Sequence, residues 1–323
     1  MSQQKFPKCT EDAIDVPFYR DLIAGCEDRL KPLRVAVVHP VSGNALAGAA
    51  HEAKSKWLEV VLIGPKGSIC KAAEESSLDI SNFEIIATKY SYESAQIAAD
   101  MAREGKVDAL MKGHIHTNEL LRLVMDKKNG LRTDRRMSHV FVIDVPGENY
   151  CKPLWLSDAT VNIRPTLQDK KDITQNAIDL FRAGGFGVPK VAILSATERI
   201  TEDIPSTVAA AALCKMADRG YITGGIVDGP LAFDNAISKS AAEVKQIVSE
   251  VAGDADILIV PDLESGNMLY KQMKFLSGYN AAGIVVGAQI PVILTSRSSG
   301  RQARLASAAL ALLYASHRES EKS

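Results

Sequence analysis

Short apolar runs alternate with longer segments of helical period along nearly the whole chain, and this rhythm constrains the fold more than any other feature. Residues 34–38 (RVAVV), 58–63 (LEVVLI), 107–111 (VDALM), 139–144 (HVFVID) and 190–194 (KVAIL) are mostly apolar rather than strictly alternating. Strands of that kind are covered by helices on both faces, as in parallel sheets. Residues 225–227, 255–260, 284–286 and 291–295 continue the series. Between them the period predicts helices over 44–56, 92–103, 117–129, 169–183, 205–219, 268–277 and 301–316, after a first one at 17–30. Thr117 is placed to cap the helix it opens. Gly130, Gly184-Gly185, Gly220 and Gly278 stand where helix ends call for a left-handed residue.

The fold class that follows is α/β with mainly parallel sheets. A length of 323 residues suggests two domains, at about 150 residues each. The composition shifts between Pro146-Gly147 and Pro153, and a glycine-rich crossing lies at 283–287. The expected division is a first domain made of 1–150 plus 288–323, with 151–287 inserted as the second.

Charge and composition exclude several functions. Lys+Arg total 38 against Asp+Glu 39, which removes the global field of a nucleic-acid binder. Aromatics at 6% argue against a stacking platform for single strands. The five cysteines include no CxxC pair, so zinc-ribbon and thioredoxin readings lack support. MSQQKFPKCTED carries no apolar signal region, and the most apolar stretch, 282–294, is interrupted by Gly287, Gln289 and Pro291. The expectation is a reduced, cytoplasmic protein with no membrane or nucleic-acid partner.

In open α/β sheets, ligands gather beyond the carboxyl ends of strands. After VDALM comes KGHIHT, a glycine-containing loop leading into a helix, with Arg122 inside the otherwise apolar LLRLVM. Free N–H groups and the helix dipole favour an anion there; the plainer reading is an exposed Arg122 paired with Asp126. His114 and His116 form HxH without a third ligand at recognisable spacing, so no metal site is expected. After GGIV, Asp228-Gly229-Pro230 reads as a turn that presents Asp234 and Asn235, although Asp234 also fits a cap. After ADILIV, Ser265 or Asn267 suits a helix cap. After PVILT comes Ser296-Arg297-Ser298-Ser299-Gly300-Arg301. Cations oppose the dipole at a helix N-terminus, so two arginines there make sense around a bound anion. The cluster Arg132, Arg135, Arg136 reads as a solvated basic loop. Gly184-Gly185-Phe186-Gly187 follows a helix and precedes a strand, the wrong order for a dinucleotide fingerprint.

Several motifs together resemble the phosphate acetyl/butyryltransferase family: DGPLAFDNA (228–236), AALCKMADRG (211–220), PDLESGNM (261–268), TSRSSGRQARLAS (295–307), MKGHIHT (111–117) and HVFVIDVPG (139–147). The resemblance runs from about residue 30 onward and is nearest to the butyryltransferase-like branch. It implies reversible acyl transfer between an acyl phosphate and coenzyme A. It further implies two α/β domains of the isocitrate/isopropylmalate dehydrogenase-like fold, an active site in the interdomain cleft, and a homodimer or larger assembly. Neither metal nor covalent intermediate is implied, and coenzyme A is a substrate rather than a resident cofactor. The family's Ser-Arg pair falls on Ser296 and Arg297, and its cleft arginine on Arg122. Thr117, Asn235, Asn267 and Ser298 are expected to bind substrate. Acetyltransferases carry an Asp seven residues after that Ser; here the position is Ala303, which leaves His116 and Asp234 as candidates for the base. Two rival classes stay in view: a nicotinamide-dependent decarboxylating dehydrogenase of the same fold, and a non-catalytic binder of coenzyme A or acyl phosphate.

Overall fold

A computed structural model describes residues 17–27, 31–52, 55–146, 150–294 and 300–320. The first half runs α1 (Pro17–Ala24), β1 (Leu33–Val38), α2 (Gly43–Glu52), β2 (Leu58–Gly64), α3 (Lys66–Glu75), β3 (Glu84–Ala87), α4 (Ser91–Arg103), β4 (Ala109–Lys112), α5 (Thr117–Val124) and β5 (Ser138–Ile143). The chain continues through β6 (Leu154–Ser157), α6 (Leu167–Ala183), β7 (Lys190–Leu194), α7 (Pro205–Asp218), β8 (Ile226–Leu231), α8 (Phe233–Ile237) and α9 (Lys239–Val244). It ends with β9 (Ile257–Ile259), α10 (Leu263–Lys271), a π-helical turn at Gln272–Leu276, β10 (Ala281–Val286), β11 (Val292–Ile293) and α11 (Arg301–Ser320).

The eleven strands among the described residues join one sheet, ordered β3-β2-β1-β4-β11-β10-β5-β6-β9-β7-β8. The plural sheets expected from the sequence are therefore one continuous sheet, mostly parallel. The pairs β11–β10, β10–β5 and β5–β6 are antiparallel, and the remaining pairs are parallel. Three reversals in the middle turn the second parallel half upside down relative to the first. The carboxyl ends of β1, β4 and β11 thus leave one rim, and those of β6, β7, β8 and β9 leave the opposite rim.

Strand pleating sends alternate residues to opposite faces. On one face Val35, Val37, Val140, Val142, Ile193, Ile257 and Ile284 share a single core with α1, α2, α6, α7 and α11. On the other face the core is broken in two. Ala36, Val38, Leu110 and Val285 pack under α4 and α5. Phe141, Ile143, Leu156, Leu194 and Leu258 pack under the second half's short helices. One unbroken core thus joins the halves, and a seam divides them on the opposite side.

Several local expectations are corrected. The N-cap of α5 is His116, whose side chain makes no capping bond, so Thr117 is the first helical residue. The helix ends at Val124, short of the expected 129. Gly130 is not left-handed; a Cβ there would meet the Asp126 carbonyl oxygen at 2.4 Å, so close approach explains it. Asp228-Gly229-Pro230 lies inside β8 rather than in a turn. Proline is tolerated because β8 is an edge strand and its register with β7 shifts between Ala192 and Leu194. The strands β3 (EIIA) and β6 (LWLS) are additions to the runs read from the sequence.

The central antiparallel pair leaves no room for a side chain at Gly283. A Cβ on Gly283 would lie 2.5 Å from the Val140 carbonyl oxygen and 3.2 Å from His139 Nε2. Gly283→Ala is therefore expected to cost more than about 2 kcal/mol, measured by urea unfolding, because backbone on both strands must shift.

Candidate functional site

At the first rim, the loop after β4 is latched to β1. Gly113 N–H donates to the Val38 carbonyl at 3.0 Å, and His114 N–H donates to the His39 carbonyl at 2.9 Å. Ile115 is buried, which leaves the flanking His114 and His116 exposed. In α5, Leu120, Leu121, Leu123 and Val124 all point into the core, so Arg122 must face solvent. The expected Arg122–Asp126 pair does not form: Asp126 instead accepts the backbone N–H groups of Lys128 and Asn129. Among the described residues Arg122 has no ion-pair partner. Ser296, Arg297 and Ser298 lie outside the described residues. Ala303 is buried in the first turn of α11, and its carbonyl accepts Ser307 Oγ at 2.8 Å.

At the second rim, α8 carries Asp234 and Asn235. Asn235 is fully buried, and its Nδ2 donates to Glu198 Oε2 at 3.3 Å. Lys245 joins both acids, lying 3.0 Å from Glu198 and 3.7 Å from the exposed Asp234. Hydrogen bonding to Lys245 lowers the pKa of the Glu198 carboxyl. Asp262, rather than Ser265 or Asn267, caps α10: its Oδ1 accepts Ser265 N–H at 2.8 Å. Asn267 sits inside the helix and donates to the Ala159 carbonyl at 3.0 Å. His116, Thr117 and Arg122 therefore gather at one rim, and Asp234, Asn235 and Asn267 at the other. Among the described residues no hydrogen bond or ion pair joins the two groups.

Three residues of consequence were not singled out by sequence reasoning. Asp158, 3% exposed, organises the loop after β6. Its carboxylate accepts the backbone N–H groups of His139, Thr160, Val161 and Asn162, together with Asn162 Nδ2 at 2.6 Å. Burial raises its pKa, and these hydrogen bonds oppose the rise. The same loop ties down the basic cluster. Asn162 Oδ1 accepts Arg136 Nε at 2.6 Å, Asp179 pairs with Arg135, and Asp172 accepts Arg136 N–H at 3.0 Å. Arg135 and Arg136 are thereby committed to α6 and its neighbour loop, while Arg132 is exposed.

His139 sits on the divided face, 2% exposed, with its ring 4.0 Å from that of Phe141 and Nδ1 2.8 Å from Thr160 Oγ1. Burial pushes its pKa down to about 3, so it is a neutral core histidine.

The third residue is Lys170. It lines a cavity of about 580 Å³ bounded by the ends of β7 and β9 and the starts of α6, α7 and α10. A lysine in the first turn after the Thr166–Asp169 capping box opposes the helix dipole. That is the signal through which the sequence could have revealed it. Among the described residues, no group of three or more His, Cys, Asp or Glu side chains gathers as metal ligands would.

The architecture defines an α/β protein of the phosphotransacylase kind. The crystal structure of a branched-chain phosphotransacylase from Enterococcus faecalis V583 matches it with a TM-score of 0.74 at 28% identity, over 88% of this chain and 99% of that one. A phosphate acetyltransferase of Rhizobium meliloti is 51% identical, covering 89% of this chain and 90% of its own. A phosphate butyryltransferase of Clostridium acetobutylicum is 38% identical, covering 89% and 95%. The sequence profile of the phosphate acetyl/butaryl transferase family matches residues 83–312, and the chain belongs to that family.

The neutral His139 makes stability pH-dependent. Its pKa in the folded protein, about 3, lies below the unfolded value of about 6.5. Between those values the unfolded chain takes up a proton that the folded chain refuses. Stability should therefore fall as the pH drops below about 6.5, by up to about 1.4 kcal/mol per unit. Urea unfolding of His139→Gln is expected to show a flatter dependence between pH 6.5 and 4.5.

Proposed function

We propose that the protein is a phosphate acyltransferase, moving an acetyl or butyryl group reversibly between acyl phosphate and coenzyme A. The observation that carries this reading is family membership: the match spans residues 83–312, and relatives bearing both names align over most of the chain. In the forward direction the thiol sulfur bonds to the acyl carbon, the carbon–oxygen bond to phosphate breaks, and the thiol proton passes to a base. Coenzyme A's thiol resembles a free cysteine, with a pKa near about 8.5, so little is thiolate at neutral pH. The leaving phosphate needs a cation, and the tetrahedral oxyanion needs preorganised donors worth about 2.7–4 kcal/mol each.

In this proposal Arg297 holds the leaving phosphate, Ser296 orients the thiol or the oxyanion, and Arg122 assists at phosphate or carbonyl. Support comes from β11 and β4, parallel neighbours with Ile293 beside Met111, whose carboxyl ends share a rim. Arg122 is exposed on the helix that follows β4. Of the two base candidates His116 fits better, because Asp234 leaves from the other rim and is drawn to Lys245. Thr117 belongs to the first rim in this reading, and Asn235 and Asn267 support the second rim's loops; Ser298 is assigned to substrate from its motif alone.

The return of β11 beside β4, with α11 packed on α1 and α2, supports the division into 1–150 plus 288–323 and 151–287. The seam on one face supports the two-domain, isocitrate/isopropylmalate dehydrogenase-like arrangement with an interdomain cleft. We further propose that the reaction uses no cofactor beyond its substrates, and that the protein acts in the cytoplasm as a homodimer or larger homo-oligomer. No helix among the described residues is long and apolar enough to cross a membrane.

The test is direct. Incubating the purified protein with acetyl-CoA or butyryl-CoA and phosphate should release thiol; no thiol with either substrate refutes the reading. Arg297→Ala is expected to slow turnover about 100-fold or more, and near wild-type turnover at saturating acyl phosphate overturns its role. His116→Asn should remove one limb of the pH–rate profile; an unchanged profile excludes it as the base.

A further inference from the structure

We propose that the cavity around Lys170 is a phosphoryl-binding pocket. It accepts a phosphate of coenzyme A, since the acyl donor's own phosphate is assigned to Arg297.

Three helices, of 17, 14 and 9 residues, begin at this cavity: α6 through Pro165 and Lys170, α7 through Pro205 and Ser206, and α10 through Asp262 and Ser265. Converging positive helix ends favour an anion. The independent observation is Lys170 itself. It is 8% exposed, yet among the described residues its ammonium makes no hydrogen bond and has no carboxylate within 4.0 Å. Burying an unpaired cation is costly, so such groups are normally paired. Asp262 acts on it electrostatically from beyond 4.0 Å. That carboxylate is occupied by its own helix, with Oδ1 accepting both Ser265 N–H and Ser265 Oγ at 2.8 Å. Arg164, exposed at the cavity, adds a second cation. A phosphoryl group would neutralise Lys170 and occupy the helix ends together.

The pocket opens at the carboxyl ends of β7 and β9, the rim opposite that of β4 and β11. It is thus a separate anion site from the one assigned to Arg297. The choice among phosphorylated substrates rests on the acyltransferase reading; the binding claim does not.

The experiment compares wild type, Lys170→Met and Lys170→Arg. In phosphate-free buffer Lys170→Met should match or exceed the wild-type Tm, since an unpaired buried charge has been removed. Adding inorganic phosphate should raise the Tm of wild type and Lys170→Arg by at least about 2 °C and leave that of Lys170→Met unmoved. Titration calorimetry should show phosphate affinity reduced at least 10-fold in Lys170→Met. In the acyl-transfer assay the KM for coenzyme A should rise 10-fold or more with that for acyl phosphate unchanged; a rise for acyl phosphate and phosphate alone overturns the assignment to the coenzyme. Unchanged phosphate affinity in Lys170→Met, or unchanged KM for every substrate, overturns the proposal. If wild type performs no acyl transfer at all, the functional reading fails, and the titration still decides the pocket.

Discussion

Two antiparallel strands in the middle of the sheet govern everything else in the molecule. Gly283 of β10 pairs with Phe141 of β5, and a Cβ there would lie 2.5 Å from the Val140 carbonyl oxygen. Their reversal, repeated at β6 and β11, turns one parallel half over relative to the other. A purely parallel sheet would send every strand's carboxyl end, and so every candidate loop, to one rim. With the reversal the loops are dealt to two rims. The same strands carry the seam, where His139 and Phe141 face the divided side while Val140 and Val142 hold the undivided core.

In the proposed reading, the chemistry uses cations set where helix dipoles oppose them. Lys170 in α6 and Arg301, the first residue of α11, are positive side chains where a helix already presents positive charge, and Arg297 precedes α11 in sequence. Neither arrangement stabilises a helix in isolation. Both become favourable when an oxyanion sits among them, which is why misplaced charge is an informative signal in a phosphate-handling protein.

Much of the fold was legible because it depends on local pattern. The apolar runs of β1, β2, β5 and β7 are long and almost unbroken, and the boundaries of α4, α6 and α7 fall within two residues of their periodic signal. The errors have physical reasons. Thr117 suits a cap because hydroxyls fit that role, but buried Ile115 and the latch to β1 put the N-cap at His116 and make Thr117 the first helical residue. Asp228-Gly229-Pro230 looked like a turn because its composition does, and an edge strand tolerates the same residues. The candidate site was legible as motifs on strand ends, whereas Asp158 and Lys170 were not, since a carboxylate holding a loop and a lysine lining a cavity have no periodicity.

By itself the sequence determined the α/β class, the family and the residue types suited to an acyl phosphate. Those follow from side-chain chemistry and from spacing along one strand or helix. Only the tertiary structure decided that a single sheet carries both halves, that Arg122 and Asp234 leave from opposite rims, and that Lys170 is buried with no carboxylate within 4.0 Å among the described residues. Strand direction and burial depend on which distant segments pair, and hydrogen bonding between β5 and β10, some 140 residues apart in sequence, leaves no mark on the local pattern of either.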